Sequence, residues 1–318
     1  MTIQQIYDLA IEMGIKADPR GESFVAKRLA KVKKLYQELP EKKKLYFDKE
    51  TFTNPYSDSR LLFGDPKIKV KKILAGIDAH APEVLLADRL NQKGEGIDLL
   101  IGHHPEGHAY ANLHDVMELQ VDMYAKAGMP VNVAHALMAA RMKEVELGLH
   151  PVNHNQSVDI ARLLNIPLMA LHTIWDNMGH HFMQQYLANK EFDTVGEVIN
   201  ALLEIPEYQE AMRGKAGPLI VAGSESSRAG KISVFFTGGT NPSKEIYIEL
   251  AKLGYGTIVD MHMKTDAIKE LQKLHINVIN AGHISSDSIG ANLFFDELEK
   301  QGIEVIPCSG LIRVKRSK

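Results

Sequence analysis

The chain has 318 residues, which suggests about two domains; 45% of them are hydrophobic and 24% charged, and the formal net charge is −3. That balance is ordinary for a globular protein and does not favour nucleic-acid binding, although KVKK at 31–34, EKKK at 41–44, KIKVKK at 67–72 and RVKRSK at the end form small basic clusters. No run of 18 or more apolar residues occurs, so no membrane span is expected, and MTIQQIYDLAIEMGIKADPRG lacks the build of a secretory signal.

Residues 1–65 read as a helical N-terminal extension. Ile3, Ile6, Leu9 and Ala10 share one face of a first helix, Val25, Leu29, Val32 and Tyr36 one face of a second, and FTNPYSDSR at 52–60 reads as a turn-rich connector. From there to about residue 190 the spacing predicts a first α/β lobe. KVKKILAGID at 69–78 is a strand, APEVLLADRLNQKG at 81–94 a helix closed by Gly94, and IDLLIG at 97–102 a second, fully buried strand. A mainly helical insertion follows over about 107–165, broken at Gly128-Met129-Pro130, and PLMALHT at 167–173 is the next strand. Residues 191–318 read as a second α/β lobe. Two helices at 196–205 and 207–214 lead into strands KISVFF, YGTIVDM, INVINAG and IEVIPC, with helices between them. The fold class expected is α/β, two lobes with mainly parallel sheets.

Parallel α/β sheets bind ligands beyond the carboxyl ends of their strands. Three apolar runs here end in histidine: IDLLIG runs into His103-His104-Pro105, PLMAL into His172, and INVINAG into His283. His172 is followed four residues later by Asp176, and His283 by Asp287. Fourteen histidines stand against the single Cys308, so metal chemistry here would use imidazole and carboxylate; the lone cysteine also fits a reducing, cytoplasmic setting. His103 and His104 can serve one cluster only if the strand has ended and the chain turns, as Pro105 allows. His283 and Asp287 would flank a helix start capped by Ser285 or Ser286.

These motifs, in this order, resemble the NIF-three-like family, also known as GTP cyclohydrolase type-two homologues. The match lies in Asp78, EVLLA at 83–87, GIDLLIGHHP at 96–105, His172-Thr173 with Asp176, TGGTNPSKE at 237–245 and GHISSD at 282–287. The resemblance implies two divalent metal ions (Zn, Fe, Mn or Ni) held by His103, His104, Asp176, His283 and Asp287. It also implies a homo-oligomer, from dimer to ring hexamer. His172 is the candidate catalytic residue, placed to orient a ligand carboxylate or move a proton.

Three departures from the family pattern matter. Asp287 stands where the family has glutamate. The shorter side chain is expected to bind one metal terminally, with a water or one of His80, His108 and His114 completing the other site. Thr265 stands where the family has histidine, with His262 nearby. The segment between His104 and Asp176 is longer than in compact members and carries His108, His114, His135, His150 and His154; it is expected to cover the metal cleft and narrow substrate choice. The function expected is a metal-dependent hydrolase acting on a small, nucleotide or heterocyclic substrate. The alternative is a non-catalytic metal-binding regulator or oligomeric scaffold.

Overall fold

The computed structural model describes residues 1–316 and contains two sheets. The first comprises β1 (Ser59–Phe63), β2 (Lys72–Gly76), β3 (Leu99–Gly102), β4 (Leu168–Leu171) and β9 (Glu304–Cys308), in the order β1-β4-β3-β2-β9. The second comprises β5 (Leu219–Ala222), β6 (Lys231–Phe235), β7 (Tyr255–Asp260) and β8 (Asn277–Asn280), in the order β5-β8-β7-β6. Pairing is parallel throughout except at one edge of each sheet, where β1 runs against β4 and β5 against β8. The apolar runs LLIG and LMAL are buried along their whole length, as strands covered on both faces must be. The expected α/β class with mainly parallel sheets is the observed one.

Several elements differ from the sequence reading. β1 lies at the edge of the expected helical segment. Its Arg60 is fully buried, its guanidinium 2.8 Å from Asp48 and 3.5 Å from Glu50, so a strand with a charged centre hides in a turn-rich stretch. The β5 segment, LIVA, was not expected as a strand. β9, read as the last strand of the second lobe, instead pairs in parallel with β2 and closes the first sheet. The strand expected over 167–173 ends at Leu171, and the chain enters a helix at once, His172–Ala188, to which the sequence reading assigned no element.

That helix and the helix His283–Lys300 form the contact between the two halves of the fold. Ile174, Trp175, Met178, Phe294 and Phe295 pack with Ile73, Leu99, Ile101 and Met169 of the first sheet. Met183, Leu187 and Ile289 pack with Val234, Val259 and Ile279 of the second. The two helices cross very closely because a glycine sits at the crossing. A Cβ on Gly290 would lie 1.9 Å from the carbonyl oxygen of Trp175. The insertion helix Glu118–Lys126 packs beside this layer, and its Gln120 donates to the carbonyls of Gly238 (2.8 Å) and Thr240 (2.7 Å) in the second half. The expected break at 128–130 is observed between this helix and Val131–Leu149.

Candidate metal centre

Three strand ends converge on one cluster. At the end of β3 the chain turns sharply: the amide of His103 donates to the carbonyls of Gly76 and Ile77, and that of His104 to Ile77. The turn sends both adjacent imidazoles to the same side. β4 delivers His172 at the first position of its helix, and Asp176 follows one turn later on the same face. Beyond β8, Gly282 precedes the helix that carries His283 and Asp287 in the same relation. The expected serine cap is absent. Ser285 and Ser286 lie inside the first turn and donate back to the carbonyl of Gly282.

The side chains fall into two sets that share Asp287. On one side His103 Nε2 lies 3.3 Å from Asp176 Oδ1 and 3.6 Å from Asp287 Oδ1. On the other, His104 Nε2 lies 3.7 Å and His283 Nε2 3.4 Å from Asp287 Oδ2, and the two imidazole nitrogens are 3.4 Å apart. Each set could hold a metal ion, as could a third grouping of His103, His104 and His172. An ion with bonds of about 2.0–2.2 Å places tetrahedral donors roughly 3.3–3.6 Å apart, which is the spacing found. Asp287 thus turns one oxygen toward each set of donors.

Outer partners fix the imidazoles. His104 Nδ1 pairs with Asp78 Oδ1 at 2.7 Å, His172 Nδ1 with Asp58 Oδ2 at 2.8 Å, and His103 Nδ1 faces the Leu171 carbonyl at 3.3 Å. With Nδ1 engaged by an acceptor, each Nε2 is turned inward, the arrangement typical of metal-ligating histidines. The His103 ring also stacks on the buried Trp175, 5.7 Å between centroids and 2° from parallel.

The inward atoms lack ordinary partners. His103 Nε2 and both oxygens of Asp287 are buried without a hydrogen bond. Such groups cost free energy unless something satisfies them, and a cation is what two carboxylates and several imidazole lone pairs have in common. The electrostatics agree. Burial raises the carboxyl of Asp287, and the neighbouring Asp176 raises it further; burial likewise raises that of Asp176. Burial and the surrounding imidazoles push His103 and His283 well down. Burial would also lower His172, but Asp176 and Asp58 outweigh it and hold that ring at about 9. The donor set thus fits divalent metal.

All six residues singled out from sequence, His103, His104, His172, Asp176, His283 and Asp287, come together. His80 sits beside them, 3.4 Å from Asp78 and bonded to Glu106 at 2.5 Å. His262 packs edge-on against His283, 4.4 Å between centroids. His108 and His114 belong to none of the groupings, so they do not complete a site. The glycine turn at 238–239 has both residues at positive φ and receives Gln120. Gln120 and Tyr124 of the insertion line the cleft with Thr240 and Asn241, so the insertion does reach the site. Sequence reasoning gave no role to Asp58 or Asp78. Asp78 stood within the family motif as a strand-end carboxylate; Asp58 lay in the connector with no signal of burial.

No protein-family model matches the chain, and neither does any functionally curated protein. Among solved structures, the chain is similar to the NIF3 superfamily protein from Sphaerobacter thermophilus, at 28% identity over 80% of this chain and 92% of that one, with a TM-score of 0.71. Reduced HcgD from Methanocaldococcus jannaschii shares the fold at 16% identity and a TM-score of 0.51, over 78% of this chain and 87% of that one. By its motifs, its fold and this likeness, the chain resembles the NIF3 superfamily proteins.

Proposed function

We propose that this protein is a dinuclear metal-dependent hydrolase acting on a small molecule. The observation that carries this reading is Asp287: a fully buried carboxylate without a hydrogen bond, whose two oxygens face two separate sets of donors. His103, Asp176 and Asp287 would hold one ion, and His104, His283 and Asp287 the other. Zinc, iron, manganese and nickel all suit a mixed imidazole–carboxylate set. When bound, such a pair supplies Lewis acidity and lowers the pKa of water.

The chain's own residues supply the rest. His172 Nε2, 4.0 Å from Asp176, is placed to take up and return a proton. The first turns of two helices face the centre, and their dipoles favour negative charge developing there. Gln120, Thr240 and Asn241 offer polar contacts across the cleft. Access is from the His283 side, where that side chain is 39% exposed while Asp287 is 0% exposed. The resemblance further suggests a cytoplasmic homo-oligomer. No helix among the described residues is long and apolar enough to cross a membrane.

One observation favours the second reading, a metal-binding protein without turnover. The space beside these residues measures about 50 Å³, well below the roughly 300–1,000 Å³ of a usual small-molecule pocket. Metal content of purified protein, followed by a panel of small esters, amides, cyclic amidines and nucleotides, separates the readings. About two ions per chain with metal-dependent turnover supports the hydrolase; two ions with no turnover supports the binding protein. Absence of bound and bindable metal would overturn both.

A further inference from the structure

We propose that Asp58 is a positioning residue for His172, holding that ring with its proton on Nδ1 and its Nε2 turned into the cluster. The purpose of this arrangement rests on the metal-centre reading; its geometry does not.

The register of the first sheet makes the pairing. β1 runs antiparallel to β4 with Ser59 opposite Leu171, so the preceding residue, Asp58, comes beside the following one, His172. A slip of one residue would turn Asp58 to the other face. The register is pinned from several directions. Tyr7 Oη and Asn54 Nδ2 both donate to the Ser59 carbonyl, at 2.9 and 2.7 Å, and the buried Arg60 is tied to Asp48. The N-terminal segment, to which the sequence assigned no task, thus delivers a carboxylate to the centre.

Asp58 is itself fully buried. Its Oδ2 accepts from His172 Nδ1 at 2.8 Å and from Thr173 Oγ1 at 2.7 Å. Burial alone would raise its carboxyl, but these donors keep it below the ordinary range. An ionised carboxylate can only accept, so the shared proton resides on Nδ1. The opposite nitrogen faces Asp176 Oδ2 at 4.0 Å, and one ring nitrogen of each of His103, His104 and His172 lies within 4.8 Å of the others. Asp78 does the same for His104. A plain structural role, anchoring Thr173, would not require the ring to be oriented at all.

Full-length protein labelled with ¹⁵N at histidine tests this. Long-range ¹H–¹⁵N correlation spectra distinguish a protonated from a bare ring nitrogen, and loss of one ring in His172→Gln identifies His172. Spectra are taken metal-free, with pH raised until the ring signals stop moving. The wild type is expected to carry its proton on Nδ1. Asp58→Asn, near-isosteric, is expected to shift the tautomer ratio toward Nε2–H at least fivefold, while Thr173→Val, which removes only the other donor to the same oxygen, leaves the ratio unchanged. A wild-type ring protonated on Nε2 overturns the proposal without any variant, so a poorly folding Asp58→Asn does not protect it. An equal response to both substitutions overturns it too. Zinc calorimetry on the wild type reports separately on the metal centre: no zinc binding would remove that reading and leave the tautomer result to decide the role of Asp58.

Discussion

Replacing Asp287 with asparagine should move the metal-free and metal-loaded proteins in opposite directions. In the metal-free chain, Asp287 is a buried carboxylate with neither oxygen hydrogen-bonded. Leaving such a group unsatisfied costs about 1–3 kcal/mol. The amide keeps the shape, carries no charge, and can donate to the bare His103 Nε2. At about 2–4 °C of melting temperature per kcal/mol for domains of this size, metal-free Asp287→Asn should melt roughly 2–12 °C above the wild type. The sign with pH follows from the raised carboxyl. Burial and Asp176 favour its protonated form in the folded chain. Wild-type metal-free stability is therefore lost as pH climbs from the ordinary carboxylate range toward the raised folded value. The advantage of asparagine should be larger at pH 8 than at pH 5.

With metal, the same substitution should be costly to both ions. Loss of an outer partner of a metal ligand typically weakens binding 10–100-fold. Loss of a direct, shared, anionic ligand should weaken each ion by at least about 100-fold, or ~2.7 kcal/mol. Zinc calorimetry, metal content after gel filtration, and melting curves with and without zinc read these effects together. The reasoning fails if the variant keeps one ion at wild-type affinity while losing the other, because Asp287 would then serve a single site. It fails equally if the metal-free variant melts below the wild type.

Gly290→Ala should part the two central helices, since its new methyl would meet the Trp175 carbonyl at 1.9 Å; a destabilisation of about 1–3 kcal/mol or more and reduced zinc content are expected, and unchanged melting and zinc affinity would show that the crossing is not needed. Asp260, buried and bonded to Tyr247 Oη at 2.8 Å, is pushed up to about 7 by burial, so it subtracts stability as pH rises from about 4 through about 7. Asp260→Asn should therefore gain in melting temperature relative to the wild type at pH 8 but not at pH 4, and parallel curves would refute this. His172→Gln should retain two zinc ions by metal analysis while losing about 10²–10⁴-fold of any turnover found in the substrate panel; loss of zinc along with turnover would recast it as a ligand.

The sequence made the centre legible because its donors sit where chain geometry forces them, at the ends of apolar runs. Leu99–Gly102 into His103, Leu168–Leu171 into His172, and Asn277–Asn280 shortly before His283 are each a buried strand followed by an imidazole. What stayed hidden depends on pairing between distant segments. That β9 closes the first sheet is decided by β2, more than two hundred residues earlier, and leaves no mark on IEVIPC itself. Asp58 reads as a turn residue until β1 is set against β4. The close approach of the two central helices depends on Gly290, which meets the backbone of a helix more than a hundred residues earlier in the chain.

The two halves of the fold place one local motif in two different surroundings. Each sheet has an antiparallel edge strand, β1 or β5, beside the strand that leads to a helix opening with histidine and, four residues on, aspartate. In the first half the residue entering the edge strand is Asp58, which grips His172 from behind and faces it inward. In the second half the corresponding stretch is Ala216-Gly217-Pro218, which has no carboxylate to offer, and Gly282 packs against its backbone. His283 is left partly open to solvent, with His262 as its aromatic neighbour, while its Nε2 faces Asp287. The aspartates differ in the same sense. Asp176 approaches His103 and His172, whereas Asp287 lies between His103 on one side and His104 and His283 on the other. Behind the two inward-facing rings the fold is thus asymmetric: a buried carboxylate holds His172, while His283 stands at the mouth of the cleft.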